Sequence, residues 1–346
     1  MRLHLVHPSR PRVVEAGDAQ VGDLVAGRYR LRRRLAAGRT SEVWHGWDER
    51  LGRDVAVKHL ADRGEAAAEA RAATTVTHPG IVRVHDVVDD RTAGAWLVME
   101  HLSGASLAAV LRQERRLSAP EATYIGSHVA HALEALHSAG LVHRDVKPSN
   151  LQLTADGRVV LMDFGLATTP CVTGGADDAP IAGSLPYLAP EILEHGQYGA
   201  ASDLFALGIT LLFSVTGLTL TQLSCQLQRS GPIRLGGASS TLGQHPALLP
   251  VIVGLLEPRP SHRIPSQLAR RLLQPHNRSG ASDSTEPDTS PAPTSWSRQP
   301  DCRRCELAIY LAASLHAKWH GFQTPVLGSC LRQVVGHRCC GSRLSV

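Results

Sequence analysis

Three oxygen-bearing side chains lie close together in two short stretches of the sequence. Asp145 and Asn150 belong to LVHRDVKPSN (141–150), and Asp163 begins DFG (163–165). Phosphoryl transfer from a nucleotide needs a carboxylate that orients the attacking hydroxyl and cations that neutralise the phosphates. Such cations take oxygen ligands. A solvated charged turn would explain HRD alone, but the Asn and the DFG at this spacing favour phosphoryl transfer.

With VAVK (55–58) upstream, these motifs resemble eukaryotic-type protein kinases, and among them the bacterial serine/threonine protein kinases. The resemblance runs from about Arg28 to Arg271 and implies ATP and Mg²⁺ as cofactors. It implies that Asp145 is the catalytic base, that Lys147 steadies the transferred phosphoryl group, and that Asn150 and Asp163 bind magnesium.

The resemblance also assigns the nucleotide-binding side of the site. Lys58 would bind the α- and β-phosphates, with Glu69 as its ion-pair partner. The alternative for this pair is two solvated surface charges, but the apolar VAV before Lys58 and the downstream motifs favour an ion pair in the site. The implied ATP-binding residues, including the gatekeeper Met99 and the hinge from Glu100 to Leu102, are Ala36, Ala37, Gly38, Arg39, Thr40, Ser41, Val43, Ala56, Lys58, Glu69, Met99, Glu100, Leu102 and Asp163.

The stretch LAAGRTSEV (35–43) departs from the family's glycine-rich loop. Ala36 and Ser41 stand at the first and third glycines, and Gly38 keeps the second. Backbone N–H groups are the donors to phosphate, and any residue but proline supplies them. Ala or Ser at positive φ costs on the order of 1 kcal/mol, so we expect a weakened but working loop.

Three other departures affect the expected activity. Gln152 stands where the family places an apolar residue beneath the adenine ring, and a buried amide without partners costs roughly 1–3 kcal/mol. The short interval between Lys58 and Glu69 predicts a helix shortened at its start. The region after Gly217 is compressed and lacks the family's Pro-Phe.

The resemblance implies further contacts around the catalytic loop. Ser184, in GSLPYLAPE (183–191), would bridge Asp145 and Lys147, and Asp203 would hold the backbone of the loop. Glu191 would pair with Arg263. We also expect Asp177 or Asp178 to substitute partly for a loop phosphate by pairing with Arg144, since the window where related kinases carry activating threonines contains no hydroxyl.

Hydrophobic periodicity predicts an α+β chain. Alternating segments predict three strands between Tyr29 and Leu60, then an Ala-rich helix (64–76) and two more strands, IVRVHDVV and AWLVMEHL. The segment 118–140 predicts a helix with a capping box at Ser118 and Glu121. With the resemblance, this predicts a two-lobed protein kinase fold with a small antiparallel N-lobe sheet, one N-lobe helix and a mainly helical C-lobe.

Composition divides the chain into four parts. We expect a loose extension over 1–27, the kinase domain over 28–273 (N-lobe 28–102, C-lobe 103–273), a polar, Pro-containing disordered linker over 274–301, and a Cys/His-rich tail over 302–346. The tail has a spacing close to that of a zinc finger, formed by Cys302, Cys305, His316 and His320. The interval between Cys305 and His316 is shorter than in the usual finger, so the favoured explanation is that Cys and His recur there by composition alone.

Charge and hydropathy exclude several classes of protein. The net charge of +5 is spread along the chain, so no nucleic-acid partner is expected. The apolar stretch 204–220 is near membrane-span length, but its Ser, Thr and Gly residues after Asp203 favour a buried core helix. With no export signal, we expect a reduced, cytoplasmic setting.

The expected function is transfer of the ATP γ-phosphate to Ser or Thr hydroxyls of proteins, including the kinase itself through self-association. Lys147 and the APE segment (189–191) favour protein substrates over small molecules. The alternatives are a pseudokinase that binds nucleotide or partners as a scaffold, which the weak loop and Gln152 favour, and a small-molecule phosphotransferase.

Overall fold

The computed structural model describes residues 19–37, 41–60, 62–90, 94–167, 183–217 and 248–274. Within them, a sheet with one helix precedes a mainly helical part, and a second, small sheet lies between the two. The expected α+β, two-lobed architecture is therefore confirmed.

The N-lobe is a six-stranded antiparallel sheet with the strand order β1-β2-β3-β4-β6-β5. The three strands predicted between Tyr29 and Leu60 are all present. The bounds are β1 Leu24–Val25, β2 Tyr29–Ala37, β3 Ser41–Asp48, β4 Arg53–Leu60, β5 Val84–Asp90 and β6 Gly94–Glu100.

The sheet begins earlier than the sequence indicated. Residues 1–27 were expected to be loose, yet Leu24 and Val25 pair with Arg30 and Tyr29. Val25 is buried beside Tyr29, in a cluster that also contains Trp44 and Trp96. A two-residue strand shows no periodicity, so the sequence could not reveal it.

The N-lobe helix, α1 (Arg63–Thr75), confirms the Ala-rich prediction. It starts just after β4 ends at Leu60, as the short interval between Lys58 and Glu69 required. Its alanines Ala66, Ala70 and Ala73 are buried. Small side chains there allow the helix to lie close to the sheet, which brings Glu69 toward β4.

The C-lobe is built around two long helices. The helix predicted at 118–140 is α3, Ala119–Ser138, with the capping box at Ser118 and Glu121 in place. The apolar stretch after Asp203 is α5, Ala200–Thr216, which is buried almost throughout. The shorter helices are α2 Leu107–Glu114, α4 Pro190–His195, α6 Leu248–Leu255 and α7 Ser266–Leu273.

The apolar stretch was predicted to be a buried core helix, and the burial of α5 confirms this. Among the described residues, no helix combines the length and the hydrophobicity that crossing a membrane would require.

A small sheet carries the site residues between the lobes. Strands β7 (Gly104–Ser106), β8 (Leu151–Thr154) and β9 (Val159–Leu161) pair antiparallel in that order. The loop after α1 joins this sheet to the N-lobe, since Leu161 N–H donates to Gly80 O at 2.8 Å and Val82 N–H donates to Leu161 O at 3.1 Å. Asn150 and Asp163 therefore flank one rigid unit.

Candidate active site

Lys58 lies at the centre of a buried ionic cluster. Its Nζ is 2.8 Å from both carboxylate oxygens of Glu69 and 2.8 Å from Asp163 Oδ1. Lys58 and Glu69 are nearly buried, whereas the Asp163 side chain is 47% exposed. The structure thus brings together three residues that the sequence places far apart, and the surface-charge alternative for Lys58 and Glu69 is wrong.

The charges in this cluster determine its protonation. Burial acts to lower the pKa of Lys58, but the neighbouring Glu69 and Asp163 outweigh burial and raise that pKa, so the ammonium stays charged. Burial likewise acts to raise the pKa of Asp163, and Lys58 reverses the effect and lowers it. A fixed ammonium and an ionised Asp163 carboxylate suit a site for phosphates and a cation.

Asp145 is held by donors on three sides. Lys147 Nζ lies 2.5 Å from Asp145 Oδ2, and Asn150 Nδ2 donates to the same oxygen at 2.9 Å. Ser184 Oγ donates to Oδ1 at 2.9 Å, and Lys147 Nζ donates to Ser184 Oγ at 2.8 Å. The implied bridge from Ser184 to Asp145 and Lys147 is therefore present, and it fixes the orientation of the carboxylate.

The backbone of the catalytic loop is anchored to the start of α5. Asp203, which is 1% exposed, accepts N–H groups from His143 and Arg144 at 2.8 Å each. His137 Nε2 lies 2.9 Å from the same carboxylate. The implied role of Asp203 in holding the loop is present in the structure, and the cluster explains why a carboxylate is buried there.

His143 connects the catalytic loop to the strand before Asp163. Its Nδ1 accepts the Asp145 N–H at 3.3 Å, and its Nε2 lies 3.0 Å from Met162 O. Burial lowers the pKa of His143, which favours the neutral ring that this pair of contacts requires. One imidazole thereby joins the backbone of Asp145 to that of Met162, the residue before Asp163.

Arg144 adopts a left-handed backbone conformation, with φ of 70°. Its guanidinium lies over the Tyr198 ring, 3.8 Å from the centroid. Gly183 packs against it so closely that a Cβ there would meet Arg144 O at 2.8 Å. The expected partners Asp177 and Asp178 lie outside the described residues, so that pairing stays a prediction.

The implied ion pair between Glu191 and Arg263 is present and buried. Arg263 Nη1 and Nη2 lie 2.7 and 3.1 Å from the two carboxylate oxygens of Glu191. Ser202 Oγ donates to Glu191 at 3.0 Å, and Arg263 also donates to Ala201 O at 2.6 Å. This bidentate pair fixes the APE segment against the start of α5.

The residues expected to contact the nucleotide lie on four neighbouring strands, β2, β3, β4 and β6. β2 and β3 form a hairpin in which Ala36 pairs with Val43, and Ala37 and Ser41 are the last described residues on either side of its tip. Val43 pairs with Lys58, and Ala56 pairs with Met99. Gly38, Arg39 and Thr40 lie outside the described residues, so their contact with phosphates stays a prediction.

At the expected hinge, the Glu100 side chain is engaged in hydrogen bonds with neighbouring residues. Its Oε1 accepts the Arg83 N–H at 2.9 Å, and Arg158 Nη2 donates to its Oε2 at 3.2 Å. Leu102 follows as a half-buried residue that packs on the core. Because the Glu100 carboxylate is engaged, hydrogen bonds to a base at this position would come from the backbone.

Two oxygens suit a magnesium ion. Asn150 Nδ2 is turned toward Asp145, and within the described part of the chain Asn150 Oδ1 accepts a hydrogen bond from the Ser149 hydroxyl alone, at 3.3 Å. Asp163 Oδ1 accepts a hydrogen bond from Lys58 Nζ, and the other carboxylate oxygen of Asp163 is the second candidate ligand. Hard oxygen donors of these two kinds fit Mg²⁺, which binds proteins through few side chains and keeps water and phosphate ligands.

Gln152 lies in β8, paired with Ser106 and Val160. Its side chain is half-buried, whereas Leu151 before it is fully buried. Because side chains alternate across a strand, Gln152 lies on the face opposite Leu151. Its placement beneath an adenine ring stays a prediction.

Several residues that support the site had no sequence signal. Tyr198 stacks on Arg144, His137 contacts Asp203, and Arg158 contacts Glu100. Each pair joins different elements, and no local motif marks it. The Cys and His residues of the tail, whose spacing was attributed to composition, lie outside the described residues.

Comparison with known proteins agrees with this geometry. The family model described as "Protein kinase domain" matches residues 29–235, which is more than half of the chain. The serine/threonine-protein kinase PknA of Mycobacterium tuberculosis is 38% identical over 210 residues, covering 57% of this chain and 49% of PknA. A probable serine/threonine-protein kinase of Streptomyces coelicolor, SCO3848, is 38% identical over 200 residues, covering 54% of this chain and 30% of its own length.

A third relative, the probable serine/threonine-protein kinase CE0033 of Corynebacterium efficiens, is 36% identical over 207 residues, which is 56% of this chain and 31% of the relative. The chain thus spans about half the length of PknA and about a third of the other two. The matched region contains the ionic cluster at Lys58, the catalytic loop and the Asp203 anchor. The chain belongs to the protein kinase domain family.

Proposed function

We propose that this protein is a serine/threonine protein kinase that transfers the γ-phosphate of ATP to hydroxyls of proteins. The observation that carries the proposal is the arrangement around Asp145, whose carboxylate is oriented by Lys147, Asn150 and Ser184. A carboxylate so placed can orient a hydroxyl and accept its proton. The names of the relatives support Ser and Thr as acceptors.

The chain's own residues supply the remaining steps. Lys58, held by Glu69, would bind the α- and β-phosphates, and Lys147 would neutralise charge on the transferred group. Asn150 and Asp163 would hold magnesium, which neutralises phosphate charge when bound. The Ala56 and Met99 side chains, paired across β4 and β6, would cover the adenine.

The pseudokinase alternative rests on the loop at Gly38 and on Gln152. Against it, Lys58, Asp145, Asn150 and Asp163 are all retained, and those are the residues that carry the chemistry. A small-molecule phosphotransferase is disfavoured by the buried Glu191–Arg263 pair, which fixes an APE segment on the substrate side. A cytoplasmic location, where ATP is available, and self-association for autophosphorylation are parts of the same proposal.

The test is incubation of the purified protein with labelled ATP and magnesium, with self-phosphorylation as the readout. Asp145→Asn should reduce turnover by about 100-fold or more, because the catalytic base is lost, while nucleotide affinity stays within about twofold. Equal turnover in the variant and the wild type would overturn the proposal. Tight ATP binding with no transfer by either protein would indicate the pseudokinase.

A further inference from the structure

Three exposed arginines lie at the end of α2. Arg112 is in its last turn, Arg115 caps the helix with φ of 64°, and Arg116 follows. These residues, here called the arginine cluster, form no ion pair with any residue that the structure describes. Glu114 is the one carboxylate within the same turn, so the cluster carries a net positive charge.

The position of a helix end explains only part of this charge. A cation in the last turn is stabilised by the carbonyl end of the helix, which accounts for Arg112. Arg115 and Arg116 lie beyond that turn. Three exposed cations so close together repel one another, and an anionic group bound beside them would relieve that repulsion.

The arginine cluster lies beside the end of α5. Leu117 N–H donates to Ser214 O at 2.6 Å. Gly217, which ends α5, lies so close that a Cβ on it would meet Arg115 O at 2.8 Å and Arg116 Cβ at 3.5 Å. The cluster is therefore fixed to the C-terminal end of this helix.

The other end of α5 is fixed to the catalytic loop through Asp203. From Asp203 to Gly217 the helix rises about 21 Å at 1.5 Å per residue. An extended peptide covers that distance in about six residues. A substrate whose hydroxyl lies at Asp145 can therefore reach the cluster with side chains roughly five to seven positions away.

Within the described residues, a chain of contacts joins these two ends. Ser184 contacts Asp145, and its carbonyl accepts the Tyr187 N–H at 2.9 Å. Tyr187 packs edge-on against Phe213 with ring centroids 6.0 Å apart, and Phe213 O accepts the Gly217 N–H at 2.9 Å. Leu185, next to this path, is 52% exposed.

We propose that the arginine cluster docks acidic segments of protein substrates, so that the enzyme selects Ser or Thr residues with carboxylates about five to seven positions away. The inference rests on the proposed kinase activity. Guanidinium groups bind carboxylates through paired, charge-assisted hydrogen bonds. The chain carries a segment of this chemistry, ASDSTEPDTS (281–290), outside the described residues. In it, Thr289 has Asp283 six positions away.

The test compares two synthetic peptides as substrates. One copies residues 281–290, and the other replaces its Asp and Glu residues by Asn and Gln. The wild type should favour the acidic peptide by tenfold or more in kcat/KM, mainly through KM, because the contact is remote from the reacting atoms. Raising the salt concentration should reduce this preference.

The cluster variant carries Arg112→Gln, Arg115→Asn and Arg116→Gln, with Asn chosen because it tolerates positive φ. It should lose the preference and keep the wild-type kcat/KM for the amide peptide. A control variant removes the same charge at three other exposed arginines that have no ion pair in the described part of the chain, and it should retain the preference: Arg50→Gln, Arg259→Gln and Arg271→Gln.

Equal use of the two peptides by the wild type would overturn the docking proposal and leave the kinase activity intact. The same conclusion follows if the cluster variant retains the preference, or if the control variant loses it. Failure of the enzyme to phosphorylate either peptide, with Asp145-dependent self-phosphorylation preserved, would also overturn it. Loss of all Asp145-dependent phosphorylation would instead overturn the proposed function.

Discussion

The buried pair of Lys58 and Glu69 gives a quantitative test of the site's energetics. Glu69 is 3% exposed, and both its oxygens lie 2.8 Å from Lys58 Nζ. Replacing one partner of such a pair leaves the other charge buried, which costs about 3–5 kcal/mol. Asp163 still neutralises Lys58 in part, but it is 47% exposed and screened by water. We therefore expect Glu69→Leu to cost about 3 kcal/mol.

Removing both charges should be less damaging than removing one. The double variant Lys58→Met with Glu69→Leu replaces the pair by apolar groups of similar size, which is often close to neutral. Its stability should lie within about 1 kcal/mol of the wild type. Both variants should be inactive, so any difference in stability between them is independent of activity.

Urea unfolding followed by tryptophan fluorescence measures the effect, because Trp44 and Trp96 are buried in the N-lobe. With a slope near 3 kcal/mol per molar, Glu69→Leu should lower the midpoint by about 1 M. Asp145→Asn, which leaves the pair intact, is the inactive control. A double variant no more stable than Glu69→Leu would refute the reasoning, since the cost would then come from packing and not from the unpaired charge.

Two further predictions concern the loop and a histidine. The strain expected where Ala36 and Ser41 replace glycines is absent, because Ala36 lies in β2 without positive φ and Ser41 begins β3. If Gly38 preserves close approach to the phosphates, Gly38→Val should raise KM for ATP and lower kcat, because its side chain would intrude on the phosphates; a silent Gly38→Val would show that the loop lies outside the site. Burial, together with the neighbouring His131, lowers the pKa of His78 to about 4. Below pH 6.5 the unfolded chain therefore takes up a proton at His78 that the folded chain does not. The free energy of unfolding should then fall from pH 7 to pH 5. His78→Asn should flatten this fall in urea midpoints measured at both pH values; an unchanged fall would assign it to other groups.

The sequence predicted that the residues of the candidate site lie close together, because their motifs are local. HRD, the following Asn and DFG lie on adjoining loops of one small sheet, so their spacing alone brings Asp145, Asn150 and Asp163 together. The predicted strands and α3 also followed from periodicity and a capping box. In each case the physical cause acts within one element or between neighbouring ones.

The contacts that sequence reasoning missed join distant elements. Tyr198 reaches Arg144 through stacking, and Arg158 reaches Glu100 across the hinge. β1 was missed because it has only two residues, and it is stabilised by pairing with β2 and by the burial of Val25. Such contacts depend on where whole elements pack, and a pattern within one element carries no information about them.

The same distinction applies to the two ends of α5. Its first turn was expected to anchor the catalytic loop, since the family resemblance implies that role for Asp203. Its last turn has no motif, yet Gly217 and Ser214 fix the segment of Arg115 to Leu117 at a set distance from Asp145. Because α5 is a buried helix with both ends hydrogen-bonded, its rise of about 21 Å from Asp203 to Gly217 is held fixed. In the docking proposal, this fixed length is the reason why the arginine cluster at the end of α2 would select acidic residues at a set spacing from the substrate hydroxyl.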